Sequence, residues 1–260
     1  GMLVIAPPET PVDLQWEEAK DPTLVLDALW IDRRQSDNAE GLGLNFVDPD
    51  SVVTTHLTEL IKENMPELLS FGATQGLIET LDRDYQKLAS EIPGGAPVIL
   101  IQQVLQELLK ERVSVRNLPA IIEAIAEIAR KTTALPKVVS HVRERLANQI
   151  CTALTDNQGF VSVIAMGPNW EQELAEAVRS NGEESNLVMS PSRMQEFVLQ
   201  ARKHIQDFAQ KDEWPAILVS PEVRGFVRNL LERVSPITQV ISHSEIHRKV
   251  ALKTVARIGD

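Results

Sequence analysis

The chain has 260 residues, 43% of them hydrophobic and 24% charged, a composition that excludes a disordered chain. At roughly 100–200 residues per domain, it holds one large domain or two to three small ones. Its 26 Lys+Arg against 37 Asp+Glu leave a net charge of −11, which argues against a generic nucleic-acid binder.

Aromatics are 4%, so the core is aliphatic. The single cysteine, Cys151, excludes an internal disulfide and Cys-rich zinc sites. No apolar run is long enough to cross a membrane and no signal peptide is visible. Gly1-Met2 reads as a tag scar before a start codon, so the expectation is a fragment. Charge is uneven: residues 1–66 hold 13 acids and 4 bases, whereas residues 221–260 hold 4 acids and 7 bases. A solvated surface and a head-to-tail contact between opposite ends are both compatible with that pattern.

In chain order, Leu3-Val4-Ile5 reads as a short strand in an otherwise extended, proline-bearing arm over residues 1–22. Leu24–Asp32 and Leu44–Val47 read as strands on either side of the Gly41-Leu42-Gly43 turn. Asp50 or Ser51 is expected to cap a helix with Val52, Val53, Leu57, Leu60 and Ile61 at helical spacing, ended by Pro66. Leu77, Ile78, Leu81, Tyr85 and Leu88 share one face of a following helix.

Two more helices come next, one with Val98, Ile101, Val104, Leu105 and Leu108, the other capped by Asn117 with Ile121, Ile122, Ile125 and Ile128 inward. Short links predict a compact bundle. Leu135, Val138, Val142, Leu146 and Ile150 mark one long helix. Beyond it the pattern alternates. Phe160–Met166, Ala216–Val219, Ile237–Ile241 and Val250–Ile258 read as strands. Helices begin at Pro168 (carrying Leu174 and Val178), Ser190-Pro191 and Ser220-Pro221, and Ser180–Glu184 reads as a polar loop. Alternating strands and helices predict an α/β layer.

The chemistry-bearing motifs are few. Phosphate loops, dinucleotide fingerprints and nucleophile elbows are absent. His243 and His247 are four apart, but Glu245 is misplaced for an H-E-x-x-H zinc helix, and the segment follows a strand. A solvated turn is the better reading. Cys151 lies on the apolar side of a helix with no basic neighbour to activate it, which favours a buried structural thiol. No catalytic residue, metal or cofactor is assigned, and a binding or assembly module is favoured over an enzyme.

Several segments together resemble the cytoplasmic domain of the export-gate family of bacterial type III secretion, in flagella and injectisomes. They are Ala28-Leu29-Trp30-Ile31-Asp32, Val47-Asp48-Pro49 with Val53-Thr54-Thr55-His56-Leu57, and Val104–Leu109. Val113–Leu118 with Ile121-Ile122-Glu123, Ile217–Ser220 with Arg224, and Ser242–Ile246 follow in the family's order. The wording Val47-Asp48…Thr55-His56-Leu57 is closer to flagellar members. Departures are present too. Phe71-Gly72-Ala73-Thr74-Gln75 lacks an Arg and a Glu of the family pattern, and Leu24 and Val25 stand where the family has Phe and Gly. The most N-terminal part of the family's domain is unmatched.

The resemblance implies the cytoplasmic part of a bacterial inner-membrane protein that forms a ring, typically a nonamer, beneath an export channel. Its expected partners are export chaperone–substrate complexes and other export-apparatus proteins. The family's apolar chaperone dimple matches Asp21, Leu24 and Thr55. The expected fold class is α/β plus α in three parts: partial mixed subdomains over 1–66, a helical bundle over 67–134 and an α/β subdomain over 135–260. The alternative is an unrelated soluble adaptor or small enzyme that shares only pieces of this pattern.

Overall fold

The computed structural model describes residues 1–5, 7, 14–21 and 26–259. The chain begins with a four-stranded antiparallel sheet of order β2-β3-β1-β4, made of β1 (Met2–Ile5), β2 (Trp16–Lys20), β3 (Asp27–Ile31) and β4 (Phe46–Val47). Leu3 pairs with Trp30 and Val4 with Leu29, and period-two alternation sends them to opposite faces. Leu3 and Ala28 pack under Val52, whereas Val4, Leu29 and Ile31 pack with Leu14 and Ala39.

The arm reading is corrected here at residues 16–20, which form β2. Trp-Glu-Glu-Ala-Lys shows no apolar alternation because it is an edge strand held by backbone pairing with β3. A 3₁₀ turn (Arg33–Gln35) and α1 (Ser36–Gly41) follow, unanticipated because Ala39 is their one buried residue. Gly43, at φ +70°, then turns the chain back into β4.

Helix α2 (Pro49–Leu68) is capped by Asp48, not by Asp50 or Ser51 as expected, two or three positions earlier. Its Oδ1 accepts from the Ser51 N–H at 2.9 Å and its Oδ2 from the Ser51 hydroxyl at 2.6 Å, bonds that hold the carboxyl below its ordinary pKa. Pro66 does not end the helix. It lies buried in the last turn, where one lost hydrogen bond is cheap, and the helix runs on to Leu68.

The bundle comprises α3 (Phe71–Glu79), α4 (Arg83–Ser90), α5 (Pro97–Lys110), α6 (Leu118–Ala129), α7 (Leu135–Arg145) and α8 (Ala147–Leu154). The apolar row from Leu77 to Leu88 thus crosses a break between α3 and α4, and the row from Leu135 to Ile150 crosses another at Leu146. Asn117 occupies the cap position of α6 without a side-chain bond. Fully buried Ile101, Val104, Leu105, Leu108, Ile121, Ile122 and Ile125 form the centre, each contributing about 1.5–3 kcal/mol by leaving water.

The rest is an α/β layer. Its parallel sheet has the order β10-β5-β8-β9, from β5 (Phe160–Met166), β8 (Ala216–Val219), β9 (Val240–Ser242) and β10 (Ala251–Ile258). Helices α9 (Pro168–Ala177), α10 (Pro191–Ala209) and α11 (Pro221–Leu231) complete it. Val178 belongs to the hairpin β6 (Val178–Asn181) and β7 (Glu184–Leu187), not to α9, and the polar stretch is the turn of that hairpin.

A parallel sheet needs cover on both faces. Val161, Val163, Ala216, Leu218 and Ile241 point into the bundle core, whereas Ile164, Ile217, Val219 and Val240 pack with α9, α10 and α11. The bundle is therefore the second cover of the sheet. Helix α7 packs on α5 and α6 as part of it. The architecture is α/β plus α with several subdomains, as the sequence implies.

Candidate docking site

Asp21 directly follows β2, and its N–H donates to the Leu26 carbonyl at 2.9 Å. Its side chain is buried, at 5% exposure. Thr55 is exposed on the second turn of α2. One turn earlier, Val52 packs on Leu3 and Ala28 of the sheet whose strand β2 leads into Asp21. Both residues thus belong to the N-terminal unit. Leu24 lies outside the described residues.

That unit is fixed to the rest at several points. Arg112, just past α5, reaches Glu59 of α2 at 2.6 Å. Gln102 and Gln106 of α5 donate to the Leu69 carbonyl at 2.9 and 3.1 Å, and Asn45 donates to the Gln210 carbonyl at 2.7 Å.

Sequence reasoning missed a buried ion cluster where bundle and sheet meet. Arg143 of α7, fully buried, donates from Nε to Glu245 Oε1 at 2.6 Å and from Nη2 to Oε2 at 3.1 Å. Its Nη1 reaches Glu111 Oε2 at 3.1 Å. Arg224 of α11 grips the same Glu111 through both oxygens, at 2.5 and 3.1 Å. Arg228, one turn on, donates to the carbonyls of Lys110, Pro236 and Thr238. Burial alone would raise the Glu111 carboxyl, but Arg143 and Arg224 hold it below the usual carboxylate range. For Arg228 burial prevails and lowers its pKa. The available signal was an arginine directly after the apolar run Val138, Val139, Val142, and an Arg224/Arg228 pair spaced like Val223/Val227.

The same geometry resolves the histidine spacing. His243–Glu245 is a 3₁₀ turn with a Ser242/Glu245 capping box, and Glu245 faces inward to Arg143. His243 is exposed with Glu171 at 3.9 Å, and His247 Nδ1 accepts from the Lys249 N–H at 3.4 Å. Among the described residues, no group of three or more His, Cys, Asp or Glu could hold a metal ion. Cys151 is buried as expected. Its thiol donates to the Glu245 carbonyl at 3.3 Å, and burial pushes its pKa up, away from thiolate chemistry. No helix among the described residues is long and apolar enough to cross a membrane.

A helical bundle backing a parallel sheet, preceded by a small antiparallel sheet, defines a multi-subdomain α/β and α fold. The family described as "FHIPEP family" matches residues 1–251, and the chain belongs to it. The flagellar biosynthesis protein FlhA of Caulobacter vibrioides is 40% identical over 248 residues, covering 95% of this chain and 35% of that protein. The chain thus spans about a third of the length of such relatives. Among solved structures, the Chlamydia pneumoniae CdsV protein aligns with a TM-score of 0.76 at 21% identity, over 100% of this chain and 74% of that one. The nonameric EPEC SctV-C aligns at 0.73 and 21% identity, over 99% of this chain and 78% of that one. At such identities these structures bear on the fold.

Proposed function

We propose that this chain is a cytoplasmic platform of a bacterial type III export gate, of flagellar type, acting in protein transport. The observation that carries this reading is the family match running through the small sheet, the bundle and most of the α/β layer. A family match of that extent argues against an unrelated adaptor or enzyme sharing scattered pieces.

In this reading the chain works by binding and assembly, without catalysis, at the cytoplasmic face of the inner membrane. Its parent protein forms a ring, as the nonameric SctV-C does. The N-terminal unit, residues 1–66, presents Asp21, Leu24 and Thr55 to export chaperone–substrate complexes, and the parts 67–134 and 135–260 support it and meet other apparatus proteins. An apolar floor with a carboxylate and a hydroxyl at its edge excludes water and orients a partner. Titrating the chain with the export chaperone–substrate complexes of its own organism tests the reading. Saturable one-to-one binding is the expected result, and no heat with any of them contradicts it.

A further inference from the structure

Helix α5 ends in a form that suits glycine. The Val113 N–H donates to the Leu108 carbonyl at 2.9 Å, and the Arg112 N–H to the Leu109 carbonyl at 3.0 Å. This is a Schellman stop, and Val113 adds its usual apolar contact by lying with Leu108 in the bundle core. Such a stop needs a left-handed residue just after the cap, and Arg112 supplies it at φ +60°. Glycine adopts that conformation freely, whereas the Cβ of an arginine is strained there.

The side chain gives a reason for the arginine. Its Nη1 donates to Glu59 Oε2 of α2 at 2.6 Å, with both side chains 15% exposed. Lys62 holds Oε1 of the same carboxylate at 2.8 Å. Val52, Glu59 and Pro66 are spaced by seven, so they share the inner face of α2. Val52 sits on Leu3 and Ala28 of the small sheet, and no residue between Val52 and Pro66 is buried. The middle of α2 is thus tied to the bundle by an ion pair where a buried apolar residue would ordinarily serve. Glu111, the preceding residue, is held by Arg143 and Arg224. The end of α5 therefore fastens α2 through one residue, and α7 and α11 through the other.

Thr55 lies one turn before Glu59 on α2. The structure assigns to Arg112 the part of a positioning residue: it fixes α2 against the bundle and so sets where Thr55 stands relative to Asp21. This rests on the docking reading above and adds that the bundle holds the docking surface in place. A strained residue kept at such a tie serves geometry more than stability.

Arg112→Gly separates the two roles, because it cuts the tie and relieves the backbone. Three quantities are read: the unfolding midpoint, hydrogen exchange of the α2 amides, and affinity for the cognate chaperone–substrate complex. In Arg112→Gly the midpoint is expected to stay or rise. Exchange between Leu57 and Glu63 is expected to quicken by about tenfold, and affinity to weaken by about three- to tenfold. Glu59→Ala is expected to match it in exchange and affinity. Arg112→Lys keeps a charge within reach and is expected to stay near the wild type in both. Unchanged exchange in Arg112→Gly would overturn the inference, as would faster exchange with wild-type affinity. A lowered midpoint would too, since the arginine would then act through stability alone. A wild-type chain that binds no complex refutes the docking reading itself, and the inference with it, before any substitution is made.

Discussion

Arg143 and Glu245 are 102 positions apart in sequence and 2.6 Å apart in space, and between them they join the helical bundle to the parallel sheet. Two charges withdrawn from water gain little over a packed apolar pair, but removing one leaves the other stranded. Arg143→Met and Glu245→Gln are each expected to cost about 3–5 kcal/mol in denaturant unfolding. The joint change is expected to cost less than the sum of the two. A strictly additive double-mutant cycle would show that the pair does not act as a unit.

The same cluster sets the acid response. Glu111 has a folded-state pKa below its reference value of 4.5, because Arg143 and Arg224 outweigh the burial that would raise it. A depressed carboxylate contributes stability that is complete above the unfolded value and is lost as pH falls through the folded one. The expected profile is flat from neutrality to about pH 5 and falls below it. Glu111→Gln is expected to lower stability at neutral pH and flatten the acid limb. Unfolding midpoints measured from pH 7 to 3 check both effects.

Gly167 ends β5 where β10 passes close by. Its N–H donates to the Ile258 carbonyl at 2.8 Å, and an added Cβ would lie 2.7 Å from that same oxygen. Backbone cannot swing aside as a side-chain tip can. Gly167→Ala is expected to destabilise by about 1–3 kcal/mol, the range for overpacking. Thermal unfolding reads it, and an unchanged midpoint would mean that β10 is held loosely.

The charge asymmetry is narrower in the structure than in the sequence. Two bases of the final stretch, Arg224 and Arg228, are buried, which leaves Arg233, Arg248, Lys249, Lys253 and Arg257 to give that end its positive charge. Against the acidic residues 1–66 they support head-to-tail attraction, the geometry by which rings close. Self-association in sedimentation is expected to be weak at low ionic strength and to vanish as salt screens the charges. Association unchanged by salt would remove the electrostatic account.

Local pattern was legible where burial is symmetrical. Phe160–Met166, interrupted only by Ser162, and Ala216–Val219 read as strands because both faces of the parallel sheet are covered, giving mostly apolar runs. Elsewhere the pattern misled. Leu77 to Leu88 keeps helical spacing across a break, because α3 and α4 line the same core. The apolar spacing in α2 marks an outer face, with Val52 alone of the residues read at helical spacing buried. Trp16–Lys20 carries no alternation, since an edge strand is set by its neighbour. Arg143 could be suspected of burial from its apolar row, but its pairing with Glu111 and Glu245 was not legible because these residues meet only after the whole fold has formed. Of the docking trio, Asp21 and Thr55 were reached through motif resemblance, and nothing in their periodicity marks them.

The central claim is that the N-terminal unit docks export cargo through Asp21, Leu24 and Thr55, and calorimetry with a cognate chaperone–substrate complex tests it most directly. Asp21→Ala is expected to cost about 1–2 kcal/mol of binding free energy through a lost polar anchor, and Leu24→Phe to preserve or tighten binding by adding a ring face. Because Asp21 is buried, each variant is first shown to be folded by circular dichroism. Wild-type affinity in both Asp21→Ala and Thr55→Met, with folding intact, would contradict the account.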